Sequence, residues 1–278
     1  MVPFGARLAQ AIAANGRLCV GIDPHPALLA SWGLPDDAEG LRRFSSVALG
    51  AALGAAAAIK PQVALYERHG SRGLAALEEL LAEAREAGML TLSDAKRGDI
   101  GSTMAGYAQA WLGEGSPLAS DAVTLSPYLG VGALAPAIEL AAATGRGVFV
   151  LGITSNPEGK RVQHAGGSDS AARRVVEDVA AINAAQASGG ASALGSIGLV
   201  VGATVGEDVA ALGLDLAAGA PPLLTPGYGA QGATSEQLRR DFAPVWEQLL
   251  VPASRSLLRA GPDGMRAEVL AARDELAD

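Results

Sequence analysis

The stretch "LSDAKRGDIGST" (92–103) sets Asp94, Lys96, Arg97 and Asp99 within six positions, directly after an apolar run. Two acids and two bases beside a buried segment make either a solvated loop or the working end of a strand. Asp94 and Lys96 are two apart, so on an extended strand both side chains leave one face, with Cα atoms about 7 Å apart. A carboxylate that close keeps an ammonium protonated near neutral pH. Such a lysine stabilises developing negative charge and donates a proton; a Schiff-base nucleophile would have to be neutral. Asp99 has the opposite parity to Lys96 and falls past the strand. It or Ser102 could equally be a helix N-cap.

Other candidates stand at the ends of other apolar runs. Lys60 follows "AAAAI", which buries its stem; the alternative is a lysine snorkelling at a rim. Asp23 closes "LCVGID", where it could instead cap the turn before Pro24. Thr154 and Ser155 close "GVFVLGITS". The turn "TPGYGAQG", with Gly229 and Gln231, offers backbone N–H groups of the kind that cradle anions. Arg255 follows the next apolar run.

Eight such runs recur, at 18–23, 57–66, 88–96, 122–128, 147–155, 197–204, 222–227 and 248–254. They are short, and most are rich in Val, Ile and Leu on both faces, as buried parallel strands are. Helical patterns separate them; in "GLAALEELLAEAREAG", Leu74, Leu77, Leu81 and Ala84 share a face and Gly88 stops the helix. Eight alternations over one domain's length match a (β/α)₈ barrel spanning 1–278. A doubly wound sheet is second choice, because "GIDPHP" cannot form its glycine-rich first turn. In a barrel the carboxyl ends of the strands form the active site, and the loops after strands seven and eight commonly hold phosphate. All the candidates above fall at that end.

Phe4, Leu8 and Ile12 mark an amphipathic N-terminal helix rather than a secretory signal. Longer insertions are expected near 24–45 and 155–195. The first carries a short extra helix within 24–40; the second, starting as a polar stretch (155–174), is either a lid over the site or a rim insertion.

The chain has 278 residues, 49% hydrophobic but only 4% aromatic, so its core is aliphatic. A net charge of −8 argues against a nucleic-acid surface, and any anionic ligand must be held by local cations. The uncharged, alanine-rich run 44–59 is shorter than the roughly 20 residues of a membrane span. Cys19 is the single cysteine, which excludes an intrachain disulfide and suits a reducing cytoplasm; within its run it reads as a small buried strand residue. His25, His69 and His164 have no ligand spacing, so no metal is expected.

Together these residues resemble the orotidine 5'-phosphate decarboxylase family, in its longer bacterial branch. "DAKRGDIGST" fits that family's Asp-x-Lys-x-x-Asp-Ile-x-x-Thr pattern at Asp94, Lys96, Asp99, Ile100 and Thr103. "GIDP", "IKPQVALYE" and "TPGYGAQG" agree with it, and the likeness covers nearly the whole chain. Arg97-Gly98 departs from it, standing where an apolar residue commonly follows the lysine.

The resemblance implies decarboxylation of orotidine 5'-phosphate to uridine 5'-phosphate, the last step of de novo pyrimidine synthesis, without cofactor or metal. It implies a charged tetrad of Lys60, Asp94, Lys96 and Asp99, with Asp99 lent to the other subunit of a homodimer. It further implies that Asp23 and Thr103 bind the ribose region, Thr154 or Ser155 the pyrimidine edge, and Gln231 and Arg255 the phosphate. Two alternatives remain open: a metal-assisted sugar-phosphate decarboxylase on the same fold, and a non-catalytic nucleotide-binding protein.

Overall fold

The structure is a computed structural model and describes residues 1–187, 194–229 and 232–277. Its centre is a closed barrel of eight parallel strands in sequence order. They are β1 (Leu18–Ile22), β2 (Ala58–Pro61), β3 (Leu90–Arg97), β4 (Ala122–Leu125), β5 (Gly147–Ile153), β6 (Ile197–Val201), β7 (Leu223–Leu224) and β8 (Leu249–Ala253). β8 returns to pair with β1, which leaves no open sheet edge.

The helices run in chain order as α1 (Phe4–Asn15), α2 (Pro26–Ser31), α3 (Ala38–Ala52), α4 (Ala64–Glu67) and α5 (Gly70–Glu86). Then come α6 (Gly101–Leu112), α7 (Ala135–Thr144), α8 (Lys160–Gln163) and α9 (Ala171–Ala187). The set ends with α10 (Gly206–Ala211), α11 (Ser235–Asp241), α12 (Arg255–Leu258) and α13 (Gly261–Glu275). No helix among the described residues is long and apolar enough to cross a membrane.

The core has two layers. The larger lies between the strands and the surrounding helices. The smaller fills the barrel's interior, where Cys19, Leu92, Phe149, Val200 and Leu250 meet Phe4 and Leu8 of α1. Helix α1 thereby plugs one end, with the Phe4 ring edge-on to Phe149 at 6.0 Å between centroids. Gly5 permits this approach, since a Cβ there would lie 2.1 Å from the Leu194 carbonyl oxygen. Burial pushes the Cys19 thiol up to about 12, which leaves it an inert part of this core.

Several elements differ in detail from the sequence pattern. β2 is only four residues long, because Val63–Tyr66 turn outward into α4 instead of continuing the strand. β7 keeps two residues. On α5 the buried face takes Ala76 and Leu80 with Leu77, Leu81 and Ala84, while Leu74 is half-buried. Helix α6 starts at Gly101 with Ile100 as its cap residue, so neither Asp99 nor Ser102 is its N-cap. The 24–45 segment contains α2, as expected, and the start of α3; the 155–195 segment contains two short turns, α8 and α9.

Candidate active site

Opposite α1, the strand ends open into a cavity of about 750 Å³. Val200 and Leu224 belong both to the interior core and to the cavity lining, so the apolar plug continues into the site's floor. Asp23, Lys60, Asp94, Lys96, Thr154 and Ser155 all line this cavity, each from the second half of a strand or one of the two positions after it. The sequence thus places six of its candidates in one chamber.

Asp94 is the hub. It is 7% exposed, and Lys60, from the neighbouring strand, is 6% exposed. Lys60 Nζ donates to Asp94 Oδ2 at 2.9 Å, and Lys96 Nζ donates to Oδ1 at 2.5 Å. Gln62 Nε2 adds a bond to Oδ2 at 3.2 Å and Thr124 Oγ1 one to Oδ1 at 3.0 Å. Burial would raise the Asp94 carboxyl, but the two ammonium groups outweigh it and hold it well below the usual carboxylate range. Burial would lower Lys60; the Asp94 and Asp23 carboxylates reverse that and raise it. The result is a Lys–Asp–Lys array in which Lys60 and Asp94 are buried and the Lys96 side chain, 48% exposed, faces the cavity.

Lys96 reaches this position by a route that parity did not anticipate. Its backbone is not extended: φ is +47°, and the β3–β4 register shifts between Ser93 and Arg97. Thr124 accepts the Lys96 backbone N–H at 2.9 Å, anchoring the irregular turn. The two charged groups still converge, through a kinked strand end instead of simple alternation.

Asp23 sits between Ser254, whose hydroxyl donates to its Oδ2, and the cavity. Its Oδ1 is buried and accepts no hydrogen bond among the described residues. The turn at Pro24 is instead closed by the backbone, His25 N–H donating to the Asp23 carbonyl at 2.7 Å. Asp23 therefore keeps an acceptor for something else.

The 155–174 segment forms one wall. Asn156, Gly159, Val162 and Gln163 all line the cavity. Gln163 grips Thr154 twice, accepting its backbone N–H at 2.9 Å and donating Nε2 to its hydroxyl at 2.8 Å. Lys160 pairs with Asp208 of α10 at 2.9 Å, tying α8 to the barrel.

Four candidates lie elsewhere. Asp99 is half-buried outside the cavity lining, and its Oδ1 accepts the Ile100 N–H at 2.8 Å. Thr103 is exposed on α6. Gly229, at φ +69°, packs on Ser256: a Cβ there would lie 3.3 Å from its Oγ. The turn after β7 therefore touches the start of α12, where Arg255 is exposed, without an ion-pair partner among the described residues. Gln231 lies outside the described residues. Gln62, Thr124, Gln163 and Ser254 are site residues that sequence reasoning missed. Gln62 and Thr124 lie inside apolar runs, Ser254 ends one and Gln163 falls in the polar segment after one, so residue type and spacing gave them no distinct signal.

The model of the "Orotidine 5'-phosphate decarboxylase / HUMPS family" matches residues 16–268. An orotidine 5'-phosphate decarboxylase from Salinispora arenicola is 55% identical over 265 residues, covering 95% of this chain and 92% of the relative. One from a Nocardioides species is 48% identical and covers 99% of both chains. Among solved structures, one from Streptomyces avermitilis superposes with a TM-score of 0.92 at 50% identity, covering 99% of this chain and 95% of that one. Leishmania donovani OMP decarboxylase follows the same path with a TM-score of 0.74 at 28% identity, covering 99% and 98%. The chain belongs to the orotidine 5'-phosphate decarboxylase / HUMPS family and is an enzyme of its decarboxylase, or carboxy-lyase, kind.

Proposed function

We propose that this enzyme converts orotidine 5'-phosphate to uridine 5'-phosphate and CO₂ in the cytoplasm, as the last step of pyrimidine synthesis, using a metal-free lysine–aspartate network. One observation carries the reading: Asp94 is held between Lys60 and Lys96 in the wall of a cavity large enough for a nucleotide. Binding alone does not require a buried Lys60–Asp94 pair with a second lysine drawn onto the same carboxylate.

The chemistry needs that array. The C6–carboxylate bond breaks, CO₂ leaves, and the electron pair stays on C6 in an orbital that the ring π-system cannot delocalise. An ammonium about 4 Å away stabilises that pair by roughly 4 kcal/mol at an effective dielectric near 20, and by more once water is excluded. Lys96 then gives its proton to C6 and regains one from solvent. Asp94, beside the substrate carboxylate, is repelled by it until CO₂ departs. Both Asp94 oxygens are already filled by Lys60, Gln62, Lys96 and Thr124, so the lysines do the work that a cation would do.

Other residues bind the substrate in this reading. Asp23, in the cavity wall, accepts from a ribose hydroxyl. Thr154 or Ser155 reads the pyrimidine edge. Gly229, Gln231 and Arg255 hold the phosphate, and grip on that non-reacting group supports closure around the ring. Asp99 serves the site of a second subunit in a homodimer, and Thr103 binds the ribose region. In support, the residue next to Asp99, Ile100, is an apolar side chain 61% exposed.

The test is to add orotidine 5'-phosphate in the presence of a chelator and follow the orotate chromophore together with CO₂ release. Loss of the chromophore with one CO₂ per turnover is expected. A chelator-sensitive reaction would overturn the metal-free mechanism, and no reaction would overturn the substrate.

A further inference from the structure

Lys96 and Ala220 are the two non-glycine residues at positive φ among the described residues. A lysine in the left-handed region is strained and persists only where its surroundings impose it. Thr124 holds its N–H. Something must also hold the chain that follows.

Arg97 is next in sequence and points away from the cavity. Its guanidinium forms an ion pair with Glu67 of α4 and donates to the Ala95 carbonyl at 3.1 Å. It also lies over two rings of α6, 5.7 Å from the Tyr107 centroid and 5.8 Å from that of Trp111. Its own carbonyl accepts the Ser126 N–H at 2.7 Å. The carbonyl before Lys96 and the residue after it are thus fixed to α4, α6 and the segment after β4.

This is a costly way to fill the gap between a strand and its helices. A guanidinium partly withdrawn from water, its side chain 24% exposed, loses hydration that a methionine would never have had. What methionine cannot supply is a directional hold on the 95–97 backbone. We infer that Arg97 is a positioning residue for the reaction: clamped by Glu67 and the Tyr107–Trp111 pair, it keeps Lys96 at positive φ with Nζ on Asp94. The inference rests on the proposed role of Lys96 as proton donor.

Arg97→Met, Arg97→Lys and Glu67→Gln test it by steady-state kinetics, uridine 5'-phosphate affinity and crystal structures. Arg97→Met should lower kcat about ten-fold or more, with KM and product affinity within about three-fold, because a small displacement of a reacting group acts on the transition state. In its crystal structure Lys96 should relax from positive φ and Nζ should leave Asp94. Arg97→Lys, which keeps a charge for Glu67, should restore part of kcat, and Glu67→Gln should fall between wild type and Arg97→Met. An unchanged kcat in Arg97→Met, or an unmoved Lys96, would overturn the inference. So would a loss of kcat matched by equal loss of product affinity, which marks plain destabilisation. If Arg97→Met does not fold, Glu67→Gln decides alone, an unchanged kcat there counting against the clamp. Should wild type fail to consume orotidine 5'-phosphate, the proposed reaction falls, while the Lys96 geometry in the crystal structures still judges Arg97.

Discussion

Asp94 and Thr124 meet across neighbouring strands, the threonine hydroxyl donating to Asp94 Oδ1 at 3.0 Å while accepting the Lys96 backbone N–H at 2.9 Å. One hydroxyl therefore fixes the carboxylate and the peptide that carries its partner lysine. It has no spare proton: its single hydrogen goes to Asp94, and a lone pair receives Lys96.

Thr124→Val keeps the shape of the side chain and removes both bonds. The Lys96 N–H is left without its acceptor, and the carboxylate loses a donor. Losing a hydrogen bond to a charged group costs about 1.5–3 kcal/mol, so kcat should fall by about ten-fold or more. KM should change little, because Thr124 holds catalytic groups and not the phosphate. Kinetics that leave kcat intact while raising KM would assign Thr124 to substrate binding.

The charge array also makes a prediction about pH. The Asp94 carboxyl is depressed in the folded protein, so its contribution is present above the ordinary carboxylate value, about 3.9, and is lost as pH falls through the lower folded value. Wild type should therefore keep this contribution across the mildly acidic range. In Lys60→Met one cation is gone, and burial pulls the Asp94 carboxyl upward. The variant should be less stable at neutral pH, by up to about 3–5 kcal/mol for a broken buried pair. Part of that deficit should close as Asp94 takes a proton on acidification. Urea unfolding across the mildly acidic to neutral range measures both; parallel curves for the two proteins would mean that Lys60 does not govern Asp94.

How much of this was legible in the sequence depends on the kind of signal. Strand ends were readable because apolar runs stop at charged residues, which brought Asp23, Lys60, Asp94 and Lys96 to one rim before any coordinates. Thr124 was not, because a threonine inside a β-rich run looks like an ordinary strand residue. Gln163 depends on how a polar segment folds back nine residues after Thr154, which periodicity does not encode. The positive φ of Lys96 was hidden because glycine, asparagine or aspartate usually announces that conformation. Sequence parity reached the right pair by assuming an extended strand that the structure does not have.

Arg255→Ala tests the phosphate assignment. Arg255 stands exposed at the start of α12, against the turn after β7 that carries Gly229. Removing a charge-assisted contact costs roughly 1.5–3 kcal/mol, or about 10- to 150-fold in affinity. Uridine 5'-phosphate should lose that affinity, whereas uridine should bind the variant as it binds wild type. Equal losses for both ligands would move Arg255 out of the phosphate site.

The last prediction joins Asp99 to assembly. Asp99 lies outside its own chain's cavity, with Oδ1 occupied by the Ile100 N–H. In the proposed dimer each site takes Lys96 from one chain and Asp99 from the other. Lys96→Ala should be inactive with product binding largely intact, since Lys96 acts on the transition state, and Asp99→Ala should be inactive as well. Mixing the two dead variants under conditions that exchange subunits makes an isologous mixed dimer. One of its sites lacks both residues; the other has Lys96 from the Asp99 variant and Asp99 from the Lys96 variant. Random pairing makes half the dimers mixed, each with one good site of two, so activity should return to roughly a quarter of wild type. If labelled subunits are seen to exchange and activity stays absent, Asp99 does not complete a partner's site, and its contribution lies within its own chain.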